Sequence, residues 1–178
     1  MRLSGVAEDP QLAEFCGSEW PRLVGSLGLY VGDRQLAEDL AQEALIRVCA
    51  NWRRVRDADS PSAWAHRVAF NLAKSHHRRE ATWRRLRPRA VAPVEVVHSD
   101  SATALAIRDA VASLPEPQRQ ALVLRYFADL SVHDTALVMD CPENTVKTHT
   151  RRALERLHER GLLEADDDTP EPAREATP

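Results

Sequence analysis

Glycine and aromatic residues are scarce in this chain of 178 residues, which has six Gly and only 5% Phe, Trp and Tyr together. Long runs of Ala, Leu, Arg and Glu take their place, a composition that favours helix throughout. Cysteine is also rare. Cys16, Cys49 and Cys141 lie far apart with no C-x-x-C pair, which excludes a zinc-ligand framework and suits a reducing cytosol. Cys49 falls within an apolar helical pattern and reads as a small core residue, whereas Cys141 falls in a turn. No charge-free stretch approaches the roughly 18 residues needed to cross a bilayer. The N-terminus lacks the basic start and apolar core of a signal peptide, so membrane insertion is not expected and a cytoplasmic protein is. Catalytic signatures are missing as well: there is no glycine-rich phosphate loop, no G-x-S-x-G and no H-E-x-x-H. The expectation is a protein that is not an enzyme and holds neither a metal nor a cofactor. The adjacent His76-His77 pair reads as solvated or phosphate-facing, because neighbouring residues do not share a helix face.

What the chain does have is charge, unevenly placed. The net charge of −3 argues against a polyanionic partner only on its face. Residues Glu164 to Pro178 hold six acidic side chains against Arg174 alone and contribute −5, so the remainder stands at +2 with its basic residues clustered. Local fields, not totals, steer ligands.

The clearest local pattern runs from Leu130 to Leu157. Ser131 precedes Val132-His133-Asp134, an arrangement in which its hydroxyl caps a first helical turn. Ala136, Leu137 and Met139 can face a partner helix, and Asp140-Cys141-Pro142 breaks the run. Pro142 suits the first turn of a new helix, where a missing N–H costs nothing. That second helix has Val146, Ala153, Leu154 and Leu157 as its buried stripe. Thr145, Lys147, Thr148, His149, Arg151, Arg152 and Arg156 remain for solvent or a ligand. This is the layout of a helix-turn-helix with a basic recognition helix. Two packed surface helices with a solvated basic face are the plainer alternative.

The rest divides into two helical blocks around an aperiodic stretch. A helical pattern from Leu12 to Tyr30 is interrupted by Pro21 and loosened by Gly25 and Gly28. Gly32-Asp33 reads as a stop and restart, with Asp33 the N-cap of a helix over Arg34 to Trp52. Leu36, Leu40, Ala44, Val48 and Trp52 form its apolar stripe, while Asp39, Gln42, Glu43 and Ile46 share another face. Arg53 to Asp59 reads as a polar connector, and Ser60-Pro61 as the start of another helix. Trp64, Val68 and Leu72 mark its core face, leaving His66, Arg67, Asn71, Lys74, Arg78 and Arg79 on a polar, mostly basic one. The period is lost from Thr82 to about Ala102, a stretch containing Pro88, Pro93 and four arginines, which reads as a linker. It resumes with Leu105, Val111 and Leu114, stops at Leu114-Pro115-Glu116-Pro117, and is followed by a helix from about Gln118 to Phe127. The expected fold is all-α: one domain over residues 10–85, a linker over 86–102, a second domain over 103–163 and a disordered acidic tail over 164–178.

Two segments carry a resemblance. GDRQLAEDLAQEALIRV with SPSAWAHRVAFNLAKSHHRR resembles domain 2 of the extracytoplasmic-function (ECF) sigma factors, and LPEPQRQALVLRYFADLS with CPENTVKTHTRRALERL resembles their domain 4. The wording ADLSVHDTA and TVKTHTRRAL looks most like the actinobacterial sigma-E-type subgroup. The resemblance implies a transcription initiation factor that carries core RNA polymerase to promoters. It places Asp39, Gln42 and Glu43 where the family docks on the coiled coil of the largest polymerase subunit. Carboxylates there can meet Arg in bidentate contacts. It places the Arg53–Ser62 connector and the following helix at the promoter −10 element. Asn71 would meet a base edge, and Arg67, Lys74 and Arg78 would neutralise phosphates. Phe70 stands where many family members have a basic residue. In the second domain, Lys147, His149, Arg151 and Arg152, with Thr145 and Thr148 on the same helix, are the implied readers of the −35 element. Asp140 and Asn144 occupy positions that are commonly Gly, and both types tolerate left-handed backbone better than other side chains. Promoter DNA and core polymerase are therefore the expected partners, with an anti-sigma factor as a candidate third. The competing class is a helix-turn-helix regulator that acts without docking on polymerase. A pure protein-interaction module is a third reading.

Overall fold

The computed structural model describes residues 9–86 and 102–162, and every regular element among them is a helix. The expected linker and acidic tail fall mainly outside the described residues. The order is α1 (Pro10–Val31), α2 (Arg34–Ala50), α3 (Trp52–Arg56), α4 (Pro61–Leu86), α5 (Ala102–Ala112), α6 (Glu116–Tyr126), α7 (Val132–Met139) and α8 (Glu143–His158).

Caps set most of the boundaries. Asp9 accepts from the Gln11 N–H at 3.0 Å and starts α1, while Asp33 accepts from Leu36 N–H at 3.0 Å and starts α2. Gly32 ends α1 at φ +78°, a left-handed conformation that most side chains resist. Ser60 Oγ accepts from Ala63 N–H at 3.2 Å, and Ser131 Oγ accepts from Asp134 N–H at 2.9 Å. All three N-caps expected at Asp33, Ser60 and Ser131 are therefore present.

Several expectations need correcting. Pro21 does not interrupt the first helix, because α1 runs through it. The lost backbone bond, worth ~3 kcal/mol in an open helix, is outweighed by burial of Leu12, Leu23, Leu27 and Tyr30 along one side. The connector after α2 is in part helical. In α3, Trp52 and fully buried Val55 anchor the turn, and Trp52 Nε1 donates to Asp9 Oδ2 at 2.8 Å. That bond holds the Asp9 carboxyl below its usual range. The core face of α4 is centred on Ala65, His66, Ala69, Phe70 and Ala73, all buried, whereas Trp64, Val68 and Leu72 flank it half-buried. His66 thus leaves the polar face assigned to it. The helix also continues through Thr82 to Leu86, where the period had been lost.

In the second half, Val111, Leu114, Leu122, Val123 and Leu124 pack with Val138, Ala153 and Leu157, and Val146 is fully buried. Leu105, expected inside, is 56% exposed. Asp140 ends α7 at φ +55°, its N–H bonding to Ala136 O, so the turn keeps its left-handed residue without glycine. Asn144 needs no such geometry, since it lies within α8. Each half has its own apolar stripes, and the two also touch: α7 lies against α4, while α5 and α6 meet α1.

Candidate nucleic-acid interface

Burial of Val146, Ala153 and Leu157 fixes the rotation of α8. Lys147, Arg151 and Arg152 are consequently exposed, and Thr145, Thr148 and His149 are half-buried along its flanks. Arg151 is ion-paired with Glu155 one turn on. Thr148 donates its hydroxyl to Asn144 O at 2.8 Å, and His149 Nδ1 is buried with no hydrogen-bond partner. Among the described residues, Lys147, Arg152 and Arg156 are the exposed α8 cations without such a tether. At the other end of the pair, His133 Nδ1 lies 3.1 Å from Glu143 Oε1 and ties α7 to the first turn of α8.

The α4 residues divide. Asn71 and Arg78 are exposed, with Arg78 donating to Ser75 Oγ at 3.3 Å. Arg67 and Lys74 instead turn toward the second half, where Arg67 lies 3.7 Å from Asp140 Oδ1 and Lys74 lies 3.9 Å from Glu116 Oε1. Both are exposed pairs, each worth ~0.2–1 kcal/mol and screened by salt. Phe70 is fully buried, its ring centroid 4.8 Å from that of Tyr30, so a hydrophobic contact stands where a cation was expected from the resemblance.

On α2, Asp39 and Gln42 are exposed and Ile46 is 54% exposed beside them. Glu43 pairs with Arg47 at 2.9 Å but keeps 46% of its side chain accessible. The strip is acidic at its ends, with the apolar Ile46 beyond.

Residues that pattern-reading missed lie between the halves. Tyr30 donates its hydroxyl to Glu116 Oε1 at 2.7 Å, and the Arg119 guanidinium lies 5.4 Å from the Tyr30 ring centre. Arg22 donates to Ala128 O at 2.5 Å. Burial and the Glu116 carboxylate push the Tyr30 phenol well above its ordinary range. No local signal announces these pairs, since the partners lie 86 and 106 positions apart.

A second polar group is enclosed between α1 and α4. Glu19 accepts from Arg22 at 3.0 Å and from Ser62 Oγ at 3.0 Å, and lies 3.6 Å from His66 Nδ1. His66 Nδ1 also lies 3.0 Å from Ser62 O, while Nε2 is buried without a partner. Burial lowers the His66 pKa, against the pull of the Ser62 carbonyl and Glu19. Below the ordinary value of 6.5 the unfolded chain therefore binds this proton before the folded chain does. Stability present above that pH falls as pH is lowered toward the folded value. Urea unfolding should show wild type losing more stability between neutral and mildly acidic pH than His66→Gln; equal losses would remove His66 as the cause.

Residues 18–84 match the family described as sigma-70 region 2, and residues 104–157 match sigma-70, region 4. The chain is 31% identical over 153 residues to the RNA polymerase sigma-H factor of Pseudomonas aeruginosa, covering 76% of this chain and 78% of that one. It is 28% identical over 165 residues to the RNA polymerase sigma-E factor of Streptomyces coelicolor, covering 86% and 88%. The sigma factor RpoE of Bartonella quintana, solved in complex with the anti-sigma factor NepR, shares the fold. Its TM-score is 0.72 at 23% identity, over 88% of this chain and 98% of that one.

Proposed function

Because the chain belongs to the sigma-70 family, among its extracytoplasmic-function RNA polymerase sigma factors, we propose how its surfaces divide the work of initiation. The protein is a transcription initiation factor that directs RNA polymerase to promoters. One observation carries this: region 2 and region 4 occur in a single chain, in order, with an open strip on α2 and a basic recognition helix at α8. A regulator that only binds DNA has no use for the first of these, and that alternative is not favoured.

In this reading Asp39, Gln42 and Glu43 dock on core polymerase. Asn71, with Arg67, Lys74 and Arg78, meets the −10 element, and Thr145, Lys147, Thr148, His149, Arg151 and Arg152 meet the −35 element. The domains are residues 10–85 and 103–163. RNA synthesis belongs to the polymerase, and the chain itself contributes positioning and no chemical step. Work beside polymerase implies the cytoplasmic compartment, and among the described residues no helix is long and apolar enough to cross a membrane. A protein of the anti-sigma class, such as the one bound by the Bartonella sigma factor, is the proposed antagonist. Size-exclusion chromatography with purified core polymerase tests the assignment: the chain should move into the polymerase peak in the absence of DNA, and continued elution as free protein would oppose it.

The two arginines of α8 should behave differently. Arg151 lies one turn beyond Lys147 on the same exposed side and is held by Glu155, which favours one orientation for base reading. A base-reading Arg contributes ~1–3 kcal/mol of discrimination, whereas a phosphate contact weakens all sequences alike and lowers the salt slope by about one unit. Arg151→Ala should relax −35 preference and Arg152→Ala should weaken every duplex. Titrations of matched and mismatched duplexes at several salt concentrations decide this. Equal, salt-sensitive losses for both would make α8 a nonspecific clamp.

A further inference from the structure

Tyr30 differs from the other groups between the halves in being buried at 1% exposure. Its ring belongs to the first half, packed at a tilt against Phe70, but its hydroxyl finds its partner in the second half, on Glu116 at the start of α6. A buried phenol without an acceptor is costly, so this bond is needed wherever the hydroxyl stays enclosed. Glu116 is also the carboxylate that Lys74 approaches, and Arg119, one turn along α6, covers the same ring. Groups from α1, α4 and α6 thus converge on one point, while α7 rests on α4 and Asp140 sits by Arg67. Two of the four α4 residues assigned to DNA, Arg67 and Lys74, face carboxylates of the chain's own second half.

We propose that the Tyr30–Glu116 hydrogen bond is a latch that holds the second half against α4 in the free protein, so that Arg67 and Lys74 meet DNA only when the latch opens. The proposal rests on the reading of α4 as a DNA-facing helix. Closure lowers the apparent affinity for DNA by the fraction of molecules that are open. The exposed Arg67–Asp140 pair adds little and is screened by salt, which leaves the Tyr30–Glu116 bond and the Arg22 hydrogen bond to Ala128 O as the polar restraints between the halves. Phosphates would compete with Asp140 and Glu116 for Arg67 and Lys74, so contact with a polyanion itself favours opening.

The full-length protein and its Tyr30→Phe, Glu116→Ala and double variants test this. Tyr30→Phe is the deciding change, because it keeps the ring on Phe70 and leaves the charge unaltered. Glu116→Ala is the second variant, acting from the other side of the bond. Opening is read by small-angle scattering and by hydrogen exchange in α4 and α7. DNA access is read by anisotropy of a fluorescein-labelled single strand of random sequence at low salt. Tyr30→Phe should enlarge the particle, speed exchange and tighten strand binding by roughly three- to tenfold. The double variant should gain no more than Glu116→Ala alone. Unchanged scattering and exchange in both single variants would overturn the latch. Opening without tighter binding would overturn the masking of α4. If Arg78→Ala, made in the opened variant, also left strand binding untouched, the fault would lie in reading α4 as the DNA face.

Discussion

Reversing two charges on α2 should detach the protein from polymerase. In the Asp39→Arg, Glu43→Arg double variant, co-purification with core polymerase is expected to fall to background. Both side chains are accessible, and neither supports the core, whose contacts on this helix come from Ala37, Leu40, Ala41, Ala44, Leu45 and Val48. The change therefore removes two attractions and installs two repulsions without unfolding the domain. Like charges set against a basic docking surface cost several kcal/mol, enough to reduce affinity by a factor of a thousand or so. The internal losses are the Glu43–Arg47 pair and the hydrogen bond that Asp39 accepts from Gln35 Nε2 at 3.4 Å, both exposed contacts of small worth. Unchanged far-ultraviolet circular dichroism with loss of polymerase is the expected combination. Wild-type yield of the complex would move docking away from this strip, and the exposed Ile46 would then have no assigned role.

Phe70→Ala should be the most damaging single truncation of the first half. Phe70 is fully buried and packed at a tilt against Tyr30, so its removal leaves a cavity beneath the residue that ties the two halves together. Large-to-small changes at such sites cost ~3–5 kcal/mol, a large part of the stability of a domain this size. Urea unfolding should show a lower midpoint with the loss concentrated in the first half. Phe70→Leu, which keeps most of the volume, should recover much of it. Little change in Phe70→Ala would mean that α4 repacks freely. The alanines at 65, 69 and 73 then would not be holding it close to its neighbours.

How much was legible in the sequence follows from how locally each feature is encoded. N-caps at Asp33, Ser60 and Ser131 are short-range hydrogen bonds and could be read directly. The left-handed Asp140 followed from the chemistry of Asp in a turn. Helix α8 was readable because its apolar and basic residues separate cleanly. In α4 they do not. Its inner face is built from alanines plus His66 and Phe70, while the larger Trp64, Val68 and Leu72 sit at its margin. Side-chain size therefore pointed to the wrong stripe, and only close helix packing shows that small residues lie at the centre. Pro21 misled for a related reason: propensity argued for a break, and burial on both sides of it prevailed. The contacts between the halves had no sequence signature at all, because each joins polar residues too far apart for any periodicity to register.

Multi-template in vitro transcription measures directly whether the chain acts with polymerase at promoters. Core RNA polymerase, a library of genomic fragments and the purified full-length protein should yield discrete transcripts that are absent without the protein. Their upstream regions should share a −10 and a −35 element at a fixed separation. The transcripts should vanish with the Asp39→Arg, Glu43→Arg variant. Binding of the protein to DNA fragments with no protein-dependent transcript from any of them would contradict a role in initiation and leave a DNA-binding regulator in its place.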